Sequence, residues 1–171
     1  MIDIIQAVGR AIRKSSAKKI GTIVIPVFIE NHEDPDEVLN SSPWKKVWNV
    51  LNALRSHDEV LAEQLDQLRR KMGRRGTVGK PDKYTHDLPE SISHEFETAL
   101  KIKLIEATTE SWEFWFGLLC DFKEDNGHCI VQRNYTTEDG YKLGNWIGAQ
   151  RSQLQPLSKR YQRLDALGFI W

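Results

Sequence analysis

The chain has 171 residues, and its 24 Lys plus Arg balance 24 Asp plus Glu, so its formal charge is zero. With 40% hydrophobic and 28% charged residues it has the composition of a folded soluble protein, which excludes wholesale disorder. The length suits one ordinary domain or two small ones and excludes a complete two-lobed motor. The longest nearly apolar run, Ile20 to Ile29, is far shorter than the roughly 18 residues of a membrane span, so no membrane association is expected. Asp3, Arg10 and Arg13 do not make a secretory signal, and Cys120 and Cys129 have no framework spacing. A reducing, cytoplasmic location is expected.

Neutrality conceals an uneven distribution. Residues 1–30 hold five bases against two acids, residues 31–110 hold twelve against fifteen, and residues 111–171 hold seven of each. Within the last part, Tyr141 to Leu164 carries Lys142, Arg151, Lys159, Arg160 and Arg163 and no acid, which predicts a local basic surface.

In chain order, Asp3 to Lys14 reads as an amphipathic helix, with Ile4, Ile5, Val8 and Ile12 on one side and Gln6, Arg10 and Arg13 on the other. Ile20 to Ile29 is rich in β-branched residues and predicts a strand, which Pro26 places at an edge. Ser42 and Pro43 predict a helix start, followed by a stripe of Trp44, Val47, Trp48, Leu51 and Leu54. Ser56 and Glu59 form a capping-box pattern ahead of Leu61, Leu65, Leu68 and Met72, which allows one kinked helix or two. Glycines and prolines between Gly73 and Ser93 predict a loop or hinge. Three helices are then expected: one carrying Trp112, Trp115, Phe116, Leu119 and Phe122, a second from about Gly140 to Leu154, and a third after the N-cap candidate Ser158. The tryptophans read as core rather than as stacking platforms.

The pattern Gln6, Gly9, Arg10, Arg13 within QAVGRAIR is the most specific in the chain. Two guanidinium groups on one helix face suit a polyphosphate, while a solvated basic face is the plainer reading. The segment, with the hydrophobic run after it, resembles motif VI (QxxGRxxR) of superfamily two helicases and translocases. That resemblance implies the end of a second RecA-like lobe, with Arg10 and Arg13 as arginine fingers, Gln6 as a nucleotide or interlobe contact, Gly9 as the position of close approach to the nucleotide, and ATP and Mg held with the first RecA-like lobe. Ala7 stands where the HRxGRxxR branch has arginine, which favours a DNA-directed relative over an RNA helicase. No phosphate-binding loop accompanies the motif: Gly73 to Pro81 (GRRGTVGKP) has Arg74 and Pro81 where GxxxxGK[ST] requires glycine and a hydroxyl. The chain is therefore expected to be the C-terminal piece of a larger ATPase and to lack nucleotide hydrolysis alone.

A second set of residues runs from Trp112 to Trp171: W..F..L..F....G, then GYKLGNWIGAQR, then R..RL..LGF.W. It resembles the helicase-associated domain, which implies a small helical module that binds nucleic acid, DNA or RNA. Many members have proline where this chain has Val131 and Gln132. Gly140, Gly144 and Gly148 recur every four residues, and a glycine within a helix costs roughly 1 kcal/mol against alanine. Helix packing and a phosphate backbone are both open as the reason for close approach there. Lys142, Asn145, Arg151, Gln153, Lys159, Arg160 and Arg163 are the candidate nucleic-acid contacts. Cys120, His128 and Cys129 lack a metal-ligand spacing, so no metal site is assigned.

The expected architecture is mainly α. Residues 1–30 would end a RecA-like α/β lobe with one helix and one strand, 31–75 form a helical linker, 76–93 a flexible hinge, and 94–171 a helicase-associated three-helix module. The expected function is that of the C-terminal part of an ATP-dependent DNA helicase or translocase. A free-standing DNA-binding or protein-interaction module is the alternative.

Overall fold

The computed structural model describes residues 22–27, 29, 34–74 and 79–171. The fold is mainly helical, with seven α-helices among the described residues. These are α1 (Pro35–Leu39), α2 (Ser42–His57), α3 (Glu59–Gly73), α4 (His94–Thr108), α5 (Ser111–Asn126), α6 (Leu143–Gln153) and α7 (Lys159–Ala166). None of the described helices is long and apolar enough to cross a membrane.

The strand expected between Ile20 and Ile29 is not formed over its described part. A lone strand has no ladder to join, and no second strand occurs among the described residues to supply one. The segment keeps an alternation of a different origin. Thr22, Val24 and Pro26 are exposed, while Ile25, Val27 and Ile29 lean on a helical core. Apolar contact, not strand pairing, accommodates its β-branched side chains.

Two compact units divide the described chain. The first takes residues up to 68 and 79–110; the second takes residues 69–74 and 111–171. In the first, α1 and α2 pack on α4 around Leu39, Trp44, Trp48, Phe96, Leu100 and Leu104. The indole Nε1 of Trp48 donates to the Leu39 carbonyl at 3.0 Å, so the buried ring leaves no polar atom unmatched. The two-helix alternative holds after Ser42, because the run breaks at Asp58. Its carboxylate accepts from the Leu61 N–H at 3.0 Å, whereas Ser56 turns back to the Ala53 carbonyl, so the cap is Asp58 and not the Ser56–Glu59 pair.

In the second unit, Trp112, Phe116, Leu119 and Phe122 recur along α5 and meet Leu143, Ile147, Leu164 and Phe169 in one core. The expected helix from Gly140 starts later, at Leu143. Ser158 caps α7 as its position predicts, accepting from the Tyr161 N–H at 3.2 Å. The last turn of α3 also belongs to this unit and lies against α5 at two glycines. A methyl on Gly73 would sit 2.1 Å from the Phe114 carbonyl oxygen, and one on Gly117 would sit 2.2 Å from that of Arg70. Backbone meets backbone there, with no space for a side chain.

Candidate functional site

The approach to α6 is built around glycines with three different duties. Gly140 has φ +84°, a left-handed conformation that closes the turn from Thr137, with its N–H donating to the Thr137 carbonyl at 2.9 Å. Gly144 carries the first turn of α6 against the protein's own chain: a Cβ would lie 2.2 Å from the Gln132 carbonyl oxygen and 2.4 Å from that of Arg133. Gly148 faces open space, with nothing within 4 Å of where a Cβ would be. Internal packing thus accounts for Gly144, and a turn for Gly140.

The fixed turn presents Tyr141 beside two tryptophans. The Tyr141 N–H donates to the Thr137 hydroxyl at 3.1 Å, and its carbonyl accepts from the Thr137 N–H at 2.9 Å. Tyr141 is 40% exposed, and its ring stands at 86° to Trp115. Trp115 and Trp146 lie nearly parallel, 12° apart with centroids 6.3 Å from each other. These three rings, with Gly140, Lys142 and Asn145, line an open, mostly apolar depression. Aromatic residues interleaved with Lys and Asn in the sequence YKLGNW were the available signal for this shelf, but reading the tryptophans as core hides it. Trp112 does belong to the core, buried and hydrogen-bonded from Nε1 to Gln150 at 2.9 Å. Trp115 and Trp146 are only partly buried.

The basic candidates fall into different environments. Lys142 stands at the N-cap of α6, and both it and Asn145 are exposed beside the shelf. Gln153 and Lys159 are exposed as well. Arg151 donates from Nε to the Ile170 carbonyl at 2.9 Å and lies over the Phe169 ring, leaving the residue largely exposed. Arg160 is partly buried with its guanidinium 5.3 Å from the centre of Trp112. Lys159 and Arg160 open α7 with no acid in its first turn. Cations at the positive end of a helix oppose the macrodipole, by about 0.3–1 kcal/mol each, so the helix dipole does not favour them there, and Arg160 is held in part by its contact with Trp112.

Arg163 has an internal task. It donates to Glu113, with Nη2 to Oε2 at 2.8 Å, and its guanidinium covers the rings of Trp112 and Phe116 at 4.7 and 4.5 Å. Arg70 reaches the same Oε2 at 3.1 Å. Glu113 is 7% exposed, and burial pushes its carboxyl up. Hydrogen bonds and positive charge from Arg163 and Arg70 outweigh that and hold it below the usual range. The pairing was not readable from sequence, because Glu113 and Arg163 lie on helices far apart in the chain.

Burial raises the thiols of Cys120 and Cys129, which disfavours thiolate chemistry. Gln6, Gly9, Arg10 and Arg13 lie outside the described residues.

No curated protein and no solved structure matches the chain. Residues 109–171 match the family model of the helicase associated domain, so the chain ends in a helicase-associated region.

Proposed function

We propose that this chain is the C-terminal part of an ATP-dependent helicase or translocase of superfamily two, in which the helicase-associated region grips nucleic acid. The observation that carries the reading is the combination of that region with the exposed Lys142, Arg151 and Lys159 and the partly buried Arg160. Lys159 and Arg160 stand against the dipole of their own helix, and Lys142 and Arg151 are exposed in a stretch without acids. Such groups contact phosphates without reading sequence. Arg163, paired with Glu113, supports the core under them.

Under the same proposal Arg10 and Arg13 are arginine fingers, with Gln6 and Gly9 beside the nucleotide. ATP and Mg belong to the first RecA-like lobe of the parent. The motif QAVGRAIR supports these roles. DNA is the favoured track, on the strength of Ala7 in that motif.

Fluorescence anisotropy of the full chain with single- and double-stranded DNA and with RNA is the test. If Lys142, Arg151, Lys159 and Arg160 all meet duplex phosphates, log affinity falls against log salt with a slope of about −3.6. Absence of binding to any of these at low salt refutes the grip and leaves a protein-docking role. For the motor assignment, either Arg10→Ala or Arg13→Ala should lower ATP turnover of the full-length parent by about 10³-fold. Unchanged turnover in the double variant removes both from the mechanism.

A further inference from the structure

We propose that the corner formed by Trp115, Tyr141 and Trp146 is a stacking seat for an unpaired base of single-stranded nucleic acid, with Lys142 and Asn145 at its edge. The inference rests on the nucleic-acid reading above and specifies the ligand of one part of it. Two nearly parallel indoles, stacked 12° apart with centroids 6.3 Å from each other, form the floor. Tyr141 stands at 86° to Trp115 as a wall, and its position is fixed by the hydrogen bonds of the Thr137–Tyr141 turn. A planar π-system meets the floor by its face and the wall by its edge, the two favourable aromatic geometries.

The polar edge distinguishes a base from other flat or apolar groups. Lys142 and Asn145 line the depression together, offering an ammonium donor and an amide that both donates and accepts. A cationic ligand in an aromatic cage is opposed by the Lys142 charge. Phosphate attraction alone is also a poor account of this corner, because Lys142 is the one cation in its lining and exposed Glu138 and Asp139 lie within the adjoining turn. Most of the binding must then come from stacking. Paired bases keep their faces hidden in the helix, so an aromatic floor of this kind selects unpaired ones. Gly148, with nothing within 4 Å of its Cβ position, leaves the next turn of α6 unobstructed.

The experiment measures binding of the full chain to a short fluorescent oligothymidylate and to a duplex of the same length, comparing wild type with Tyr141→Ala, Tyr141→Phe, Trp115→Ala and Lys142→Ala. Loss of one stacking partner is expected to weaken single-strand binding roughly 5- to 100-fold while leaving duplex affinity within about twofold. Tyr141→Phe retains the ring and should bind like wild type. Lys142→Ala should flatten the single-strand salt slope by about 0.7, whereas Tyr141→Ala leaves that slope in place. If Trp115→Ala fails to fold by circular dichroism, Tyr141→Ala carries the test, since that residue is 40% exposed. Equal losses on both substrates, or unchanged single-strand affinity, overturn the stacking seat while the general grip stands. A wild-type chain that binds no nucleic acid overturns both. Tyr141-dependent capture of a proline-rich peptide without oligothymidylate binding overturns the choice of ligand.

Discussion

Alanine at Gly144 and alanine at Gly148 make opposite demands on one helix, although the two positions look alike in sequence. At Gly144 the new Cβ would lie 2.2 and 2.4 Å from two carbonyl oxygens and 2.6 Å from the Arg133 carbonyl carbon. Ordinary contact begins near 3.4 Å, so backbone on one side must move by about 1 Å, and overpacking of this kind costs about 1–3 kcal/mol. All three clashing atoms are main chain, which places the cost at the upper end; the gain of about 1 kcal/mol from helix propensity offsets part of it. The net expectation is a loss of about 2 kcal/mol. At Gly148 there is no clash, and the propensity gain of about 1 kcal/mol stands alone. For a chain of this size a change of 1 kcal/mol moves the melting temperature by roughly 2–4 °C. Thermal melts followed by circular dichroism should therefore show Gly144→Ala lowered by about 4–8 °C and Gly148→Ala raised by about 2–4 °C. Both variants shifting in the same direction would refute the assignment of Gly144 to internal packing and Gly148 to an open face.

Replacing Glu113 by Gln should destabilise the fold by about 2 kcal/mol at neutral pH, a figure reduced because its arginine partners remain partly solvated. The Glu113 carboxyl is held low in the folded state, so its contribution is complete above the ordinary value of 4.5 and fades as pH falls through the lower folded one. Urea midpoints of wild type and variant should converge in acid; a constant gap would mean that charge is not the source. Burial pushes the Tyr84 hydroxyl from 10.0 up to about 12. The unfolded chain therefore releases this proton first, and stability should drop by roughly 2 kcal/mol as pH rises through that interval. Tyr84→Phe should lack the corresponding slope, and an identical alkaline profile would refute it. Arg163→Ala should lower the melting temperature while Lys159→Ala leaves it nearly unchanged, because only the first removes a partner of a buried carboxylate. Equal melting temperatures would count against the Glu113 network.

The parts of the fold legible in sequence are those where a local period coincides with burial. Trp112, Phe116, Leu119 and Phe122 repeat at helical spacing and do face one core, and Ser158 caps the helix its position announces. α4 escapes a local reading even though Phe96, Leu100 and Leu104 recur every four residues, because Pro89 and the surrounding polar residues draw attention to a loop. The segment at Thr22 to Val27 misleads in the other direction: its β-branched residues have the period of a strand, but pairing requires a second segment that local sequence does not provide. The shelf was obscured for a similar reason. Trp112 and Trp115 share one helix and one residue type, and only the packing of α6 and α7 decides that the first is enclosed while the second borders solvent. Likewise, composition counts Arg163 with its basic neighbours; the fold pairs it with Glu113.

The glycine contacts between the end of α3 and α5 also bear on how this region can be transplanted. The family match begins at residue 109, yet Arg70 serves Glu113, and the backbone of Arg70 covers Gly117 from outside that boundary. A graft cut at the family limits would carry the aromatic shelf but lose one guanidinium from its buried carboxylate. It would also bare to water a strip of α5 that normally touches main chain. Inheritance and mechanical integrity follow different borders here, and a portable form of the module needs the short lead-in from Arg69 to Arg74 supplied with it, in sequence or in trans.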